Sequence, residues 1–167
     1  MLARYMIMNE KTKDRIITYV IAIAIPLGVG ALSALLSREG MELYSTITKP
    51  PLSPPAIVFP IAWSILYLLM GISSGMIWER RLDCEAAVVG LRNYAISLGL
   101  NFFWSIIFFN LGAFLLAFVW LLALAASVIA TAVSYRRVYP PAALLQIPYI
   151  LWLLFAAYLN LGVYVLN

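Results

Sequence analysis

Five stretches of about twenty residues run through this chain with no Asp, Glu, Lys or Arg near their middles. A bilayer core about 30 Å thick is crossed by roughly 20 residues of helix at 1.5 Å per residue. The stretches are Ile16–Leu36, about 56–78, about 91–109 with Arg92 at its edge, about 113–135, and about 141–166. Backbone N–H and C=O groups in hydrocarbon must pair within the chain, so each stretch is expected as a helix. The alternating segments of a membrane barrel are missing. Residues 1–167 are therefore expected to form one all-α integral membrane domain, a bundle of five transmembrane helices. The first stretch has a basic flank, and Ala31-Leu32-Ser33-Ala34 imitates a cleavage site. Its apolar length nevertheless exceeds the roughly 7–15 residues of a signal-peptide core, so it is expected to remain as a span.

Composition closes the soluble alternative. The chain is 65% apolar and 11% charged, against roughly 45–50% and about 25% in a typical soluble domain. With no histidine and only Cys84, a His general base, a proximal-His haem, a disulfide framework and a multi-cysteine metal site are all excluded. Neither a phosphate-cradling glycine loop nor a nucleophile elbow occurs. Basic residues are not interleaved with aromatics as nucleic-acid binding requires. No metal and no resident cofactor is called for.

The net charge of +4 is distributed by loop. Arg4, Lys11, Lys13, Arg15, Arg80, Arg81, Arg92, Arg136 and Arg137 fall on one side of the expected topology, and only Arg38 and Lys49 on the other. This bias places the N-terminus in the cytoplasm and the C-terminus outside. A span without a central charge lacks the usual mark of a pump or ion-coupled transporter.

Polar and aromatic residues within the spans supply the candidate site. Asn101 shares a helix face with Trp104 and Ser105, and Tyr149, Trp152, Ala156 and Asn160 form a second stripe at helical spacing. Such stripes fit a pocket for a flat, mostly apolar ligand with polar edges. From the residues alone they fit interhelical hydrogen-bond glue better, with Asn101 and Asn160 as its amides, because polar glue is common in bundles. The loop 37–55 carries four prolines between Pro50 and Pro55. It reads either as a stiff lid over a cavity or as a constrained connector. Gly71-Ile72-Ser73-Ser74-Gly75 and Ala95-Ile96-Ser97-Leu98-Gly99 are small-residue motifs suited to internal packing or to a homodimer seam. Pro26 and Pro148 are expected to kink their spans.

Three runs, KPPLSPPAIVFPIAWSILYLLMGISSGMIW (49–78), LNFFWSIIFF (100–109) and IPYILWLLFAAYLN (147–160), together resemble the tryptophan-rich sensory protein/translocator protein (TspO/MBR) family. The resemblance implies a five-helix bundle, usually a homodimer, with a porphyrin-binding pocket beneath the first loop. Carried over by position, it implies ligand contacts at Tyr44, Trp63, Asn101, Trp152 and Ala156, with Asn160 deeper. The implied ligand is a haem-type tetrapyrrole or other flat hydrophobic molecule, bound by a sensor or regulator. Some bacterial relatives are associated with light-dependent porphyrin breakdown, which would make Trp63 and Trp152 catalytic; a passive carrier is the further alternative. Leu52 departs from the aromatic residue often found in the lysine-proline signature. Tyr158 and Tyr164 lack the following basic residue of the proposed cholesterol motif.

Overall fold

The computed structural model describes residues 2–38, 40, 45–82 and 84–167, with side chains from Lys11 onward. Its helices are α1 (Leu2–Leu36), α2 (Val58–Trp78), α3 (Glu85–Ser105), α4 (Phe114–Val138), α5 (Pro140–Leu144) and α6 (Ile147–Leu166). No strand occurs among the described residues. Among the described residues, four runs are long and apolar enough to cross a membrane: Lys11–Leu36, Val58–Trp78, Phe114–Val138 and Pro140–Leu166. The chain is therefore an integral membrane protein. Its remaining long helix, α3, is less apolar because it carries Glu85, Arg92 and Asn93.

Helix boundaries depart from the uncharged stretches for identifiable reasons. α1 starts far upstream of Ile16, because nothing in the basic arm breaks a helix, and it continues through Pro26. α3 likewise begins at Glu85 rather than near Leu91, with its acidic side chain in the favourable first turn. It ends in a π-helical turn, Ile106–Asn110, before Gly112 reverses the chain at φ 59°. Arg136 and Arg137 do not stop α4; they occupy its last turn, where cations suit the helix dipole. The expected fifth span is divided at Leu145–Gln146. Pro148 consequently sits in the first turn of α6, where its missing N–H costs nothing, instead of kinking a span.

The long helices close a ring in the order α1, α2, α6, α4, α3 and back to α1, while α2 also touches α3 and α5. The core is built from Tyr67, Met70 and Ile77 of α2, Tyr94 and Leu98 of α3, Leu121, Leu124 and Val128 of α4, and Tyr149 and Leu153 of α6. α1 contributes little to it and leaves Ile16, Ile17, Val20, Ile21 and Ile25 on the outside. What attaches α1 is close approach to a glycine face. A Cβ on Gly71 would lie 2.6 Å from Ile23 Cα, and one on Gly75 would lie 2.9 Å from the Tyr19 ring. The first small-residue motif is thus an internal α1–α2 seam. The second is open: Ala95 is exposed, and a Cβ on Gly99 would meet nothing within 4 Å.

At the basic end, Arg15 Nε donates to Glu79 Oε1 at 2.8 Å, tying α1 to the end of α2. Arg80 lies 4.0 Å over the Tyr139 ring and Arg81 4.2 Å over that of Trp78. Gly71→Leu should destabilise the protein by about 1–3 kcal/mol, the usual cost of overpacking. Gly99→Ala should change stability by less than about 0.5 kcal/mol, as surface substitutions do. Thermal melting of the purified protein in detergent checks both.

Candidate functional site

Trp63 and Tyr67 are one helical turn apart on α2 and share a face. Their rings stack with centroids 5.3 Å apart and planes at 28°. From α6, Tyr149 approaches Trp63 edge-on at 5.9 Å, and Trp152 does so at 6.5 Å with an 81° interplanar angle. Phe59 closes the other side of Trp152 at 6.0 Å. Edge-to-face and offset pairs at these separations are the favourable aromatic geometries. Two indoles from different helices therefore meet between α2 and α6.

Beneath them lies a buried amide. Asn101, 2% exposed, donates from Nδ2 to the Tyr67 hydroxyl at 2.8 Å. The Tyr67 ring itself occupies the space a Cβ on Gly30 would need, so α1 contributes to the site by lacking a side chain. Ala156, one turn beyond Trp152, packs partly buried against the same core.

The structure brings Trp63, Asn101, Trp152 and Ala156 into one neighbourhood, with Tyr67 as the link between indole and amide. Asn160 is engaged elsewhere: its Oδ1 accepts from Trp104 Nε1 at 3.3 Å, and its Nδ2 donates to the Phe114 carbonyl at 2.8 Å. It ties α6 to α3 and α4 beside the stacked Trp104–Phe108 pair. Tyr44 lies outside the described residues. Sequence spacing could have identified Tyr67, at i+4 from Trp63, as a site residue. Phe59, at i−4 from Trp63, carried the same signal, and the role of Gly30 is visible only across helices.

The proline loop is fastened to α6. Pro50 packs against the bare backbone of Gly162, the Tyr158 hydroxyl donates to the Pro51 carbonyl at 2.8 Å, and Asn167 bonds both backbone polar groups of Thr48 at 2.9 Å. Pro50 to Ser53 forms a turn, with Leu52 at φ 66° and 81% exposed. Leu52 therefore points away from the loop's contacts with α6. Two concavities, of about 430 Å³ along Thr12–Ile23 and about 760 Å³ around Gly112–Val119 and Tyr164, lie away from the indoles. Between α2 and α6 the aromatic rings of Trp63, Tyr149 and Trp152 lie against one another.

The TspO/MBR family pattern matches residues 22–166. A "Translocator protein" from Ovis aries is 42% identical over 123 residues, covering 73% of each chain. A "Tryptophan-rich protein TspO" from Chlorobaculum tepidum is 34% identical over 154 residues, 92% of this chain and 98% of the relative. A "Protein CrtK" from Rhodobacter capsulatus is 36% identical over 143 residues, 83% and 85% of the two chains.

The Asn101–Tyr67 bond gives a direct expectation. Asn101→Ala and Tyr67→Phe should each lower stability, and the double variant should lose about 1 kcal/mol less than their sum. Denaturation of the four proteins of the cycle measures that coupling.

Proposed function

The chain belongs to the TspO/MBR family, and on that premise we propose that it is a membrane tetrapyrrole-binding sensor or regulator. The observation that carries this reading is the meeting of Trp63 and Trp152 above the Tyr67–Asn101 pair. Indoles offer flat, polarisable faces to a conjugated macrocycle, and the amide offers a polar contact for its edge. Ala156 leaves room beside Trp152. Tyr44 and the proline loop would cover the ligand, and Asn160 would lie at its far margin. A ligand would seat against the indole faces between α2 and α6.

A second reading, light-dependent porphyrin breakdown, draws on the same pair: two oxidisable indoles, 6.5 Å apart, would both reach a macrocycle held between them. In that case Trp63 and Trp152 are the catalytic residues. Passive carriage of a hydrophobic ligand is the third.

The proposal includes the topology. We read α3 and its π-helical turn as the fifth transmembrane span, its polar residues tolerated because it packs against α1, α2 and α4. The arginine-bearing ends of α2 and α4 face the cytoplasm, and the C-terminus faces outward. The single domain pairs as a homodimer through the open Ala95–Gly99 face of α3, since Gly71 and Gly75 are already occupied by α1.

Protoporphyrin IX titrated into the purified protein, in darkness and in light, tests the function. Saturable quenching in the dark that weakens at least tenfold in the double variant Trp63→Phe/Trp152→Phe is the expected result. A distinct product formed only in light, and only with the indoles present, would establish the enzyme instead. Without saturable binding the pocket assignment fails. For the pairing, Gly99→Leu should shift the detergent-solubilised protein from dimer to monomer in light scattering, with only the fall in melting temperature that loss of the partner brings.

A further inference from the structure

α1 carries a feature that the ligand reading leaves unused. Along it runs the concavity of about 430 Å³ lined by Thr12, Arg15, Ile16, Tyr19, Val20 and Ile23. These residues recur at helical spacing, so they form one stripe down the helix. The stripe covers roughly 16 Å of axis at 1.5 Å per residue, about one leaflet of a hydrocarbon core about 30 Å thick. Its chemistry changes along that length. The end at Thr12 and Arg15 is polar and cationic, whereas Ile16, Val20 and Ile23 are apolar. Ile16 and Val20 are 58% and 61% exposed.

The cationic end is organised by a neighbouring helix. Arg15 Nε donates to Glu79 Oε1 at 2.8 Å, and the Tyr19 hydroxyl donates to Glu79 Oε2 at 3.4 Å. Arg80 Nη1 approaches the same carboxylate at 4.0 Å. Glu79 thus fixes the guanidinium at the head of the trough, while its own charge is met by two arginines. The Arg15 side chain nevertheless remains 68% exposed, and a guanidinium has five N–H donors in all. Lys11, one turn earlier on the same face and exposed, adds a further cation. Lys13 and Asp14 beside it offset each other. An excess of positive charge therefore sits where the apolar stripe begins.

We propose that this trough seats one anionic phospholipid of the leaflet at the basic end, with its phosphate on Arg15 and Lys11 and an acyl chain along Ile16, Val20 and Ile23. The gradient from cationic to apolar over one leaflet is what selects that occupant. A soluble anion would leave the apolar part uncovered, and a neutral lipid would leave the cations without a counter-charge. A second copy of the chain paired here about a twofold axis along the membrane normal would bring its own Lys11 and Arg15 level with these, like charge against like. The seated lipid adds a contact to a helix that contributes little to the core. It does not depend on which ligand the aromatic site takes.

Native mass spectrometry of the full chain in nonionic detergent tests the site, with dioleoyl phosphatidylglycerol and dioleoyl phosphatidylcholine as the two probes. One phosphatidylglycerol should be held at least tenfold more tightly than phosphatidylcholine with the same acyl chains. Lys11→Gln/Arg15→Gln should remove that preference, weakening phosphatidylglycerol roughly 30-fold, at about fivefold for each cation near an anionic lipid. Val20→Trp, at an exposed position, should also weaken it by filling the trough without altering any charge. Arg136→Gln/Arg137→Gln, at the same end but on α4, should leave it unchanged. Equal affinity for the two lipids would overturn the proposal. So would equal losses in the two charge variants, which would mean a diffuse field over the basic end. If loss of the Arg15–Glu79 bond unfolds the protein, Lys11→Gln and Val20→Trp decide instead: wild-type affinity in both refutes the trough.

Discussion

Lipid tails are as apolar as leucine, so no hydrophobic force draws one helix of this protein onto another within the bilayer. Everything that fixes the bundle must come from close contact or from polar groups that find partners across helices. Both devices are present and divide the labour. α1 is held chiefly by approach to Gly71 and Gly75 and by the Arg15–Glu79 bond at its basic end. The ring α2, α6, α4, α3 is tied by side chains: Gln146 to Ser73, Ser73 to the Ala142 carbonyl of α5, Asn101 to Tyr67, Asn160 to Trp104 and Phe114, and Trp120 Nε1 to the Leu100 carbonyl.

The same economy builds the candidate site. Tyr67 stacks on Trp63, accepts from Asn101 and occupies the space Gly30 leaves open, so one ring links three helices. Asn101 is glue in the structure, since its bond holds α3 to α2, and in the proposed site the same bond sets the floor below the indoles. The two readings of this amide that spacing left open are not exclusive. Asn160 shows the other outcome, a polar residue in the same stripe whose amide is taken up by ties to α3 and α4.

Legibility followed the range of the physics. Span positions were written in charge and apolar length, and α2 and α4 lie close to where those patterns put them. The starts of α1 and α3 were hidden because a charged residue ends a hydrophobic stretch without ending a helix, as Arg15 and Arg92 both demonstrate. The break before α6 turned on Pro148, whose meaning depends on whether it falls first or midway in a helix, and sequence does not fix that phase. At the site, helical spacing grouped Trp152 with Ala156 and Asn101 with Trp104. It could not say that Trp63 would face Trp152, or that Asn160 would bond Trp104, because those meetings depend on the order of helices around the ring.

The loop's attachment to α6 has a kinetic meaning. Pro50 on Gly162, Tyr158 on the Pro51 carbonyl and Asn167 on Thr48 join one part of the scaffold to another. None of these bonds involves an occupant of the cleft. Contacts of that kind act as a latch whose strength enters equally into the barrier for arrival and the barrier for departure. In the proposed binding function they would govern residence time and exchange while leaving the equilibrium between empty and filled to the indoles and the amide. Selection on the proline loop would then tune how long the cleft remembers what it has met, separately from what it prefers to meet.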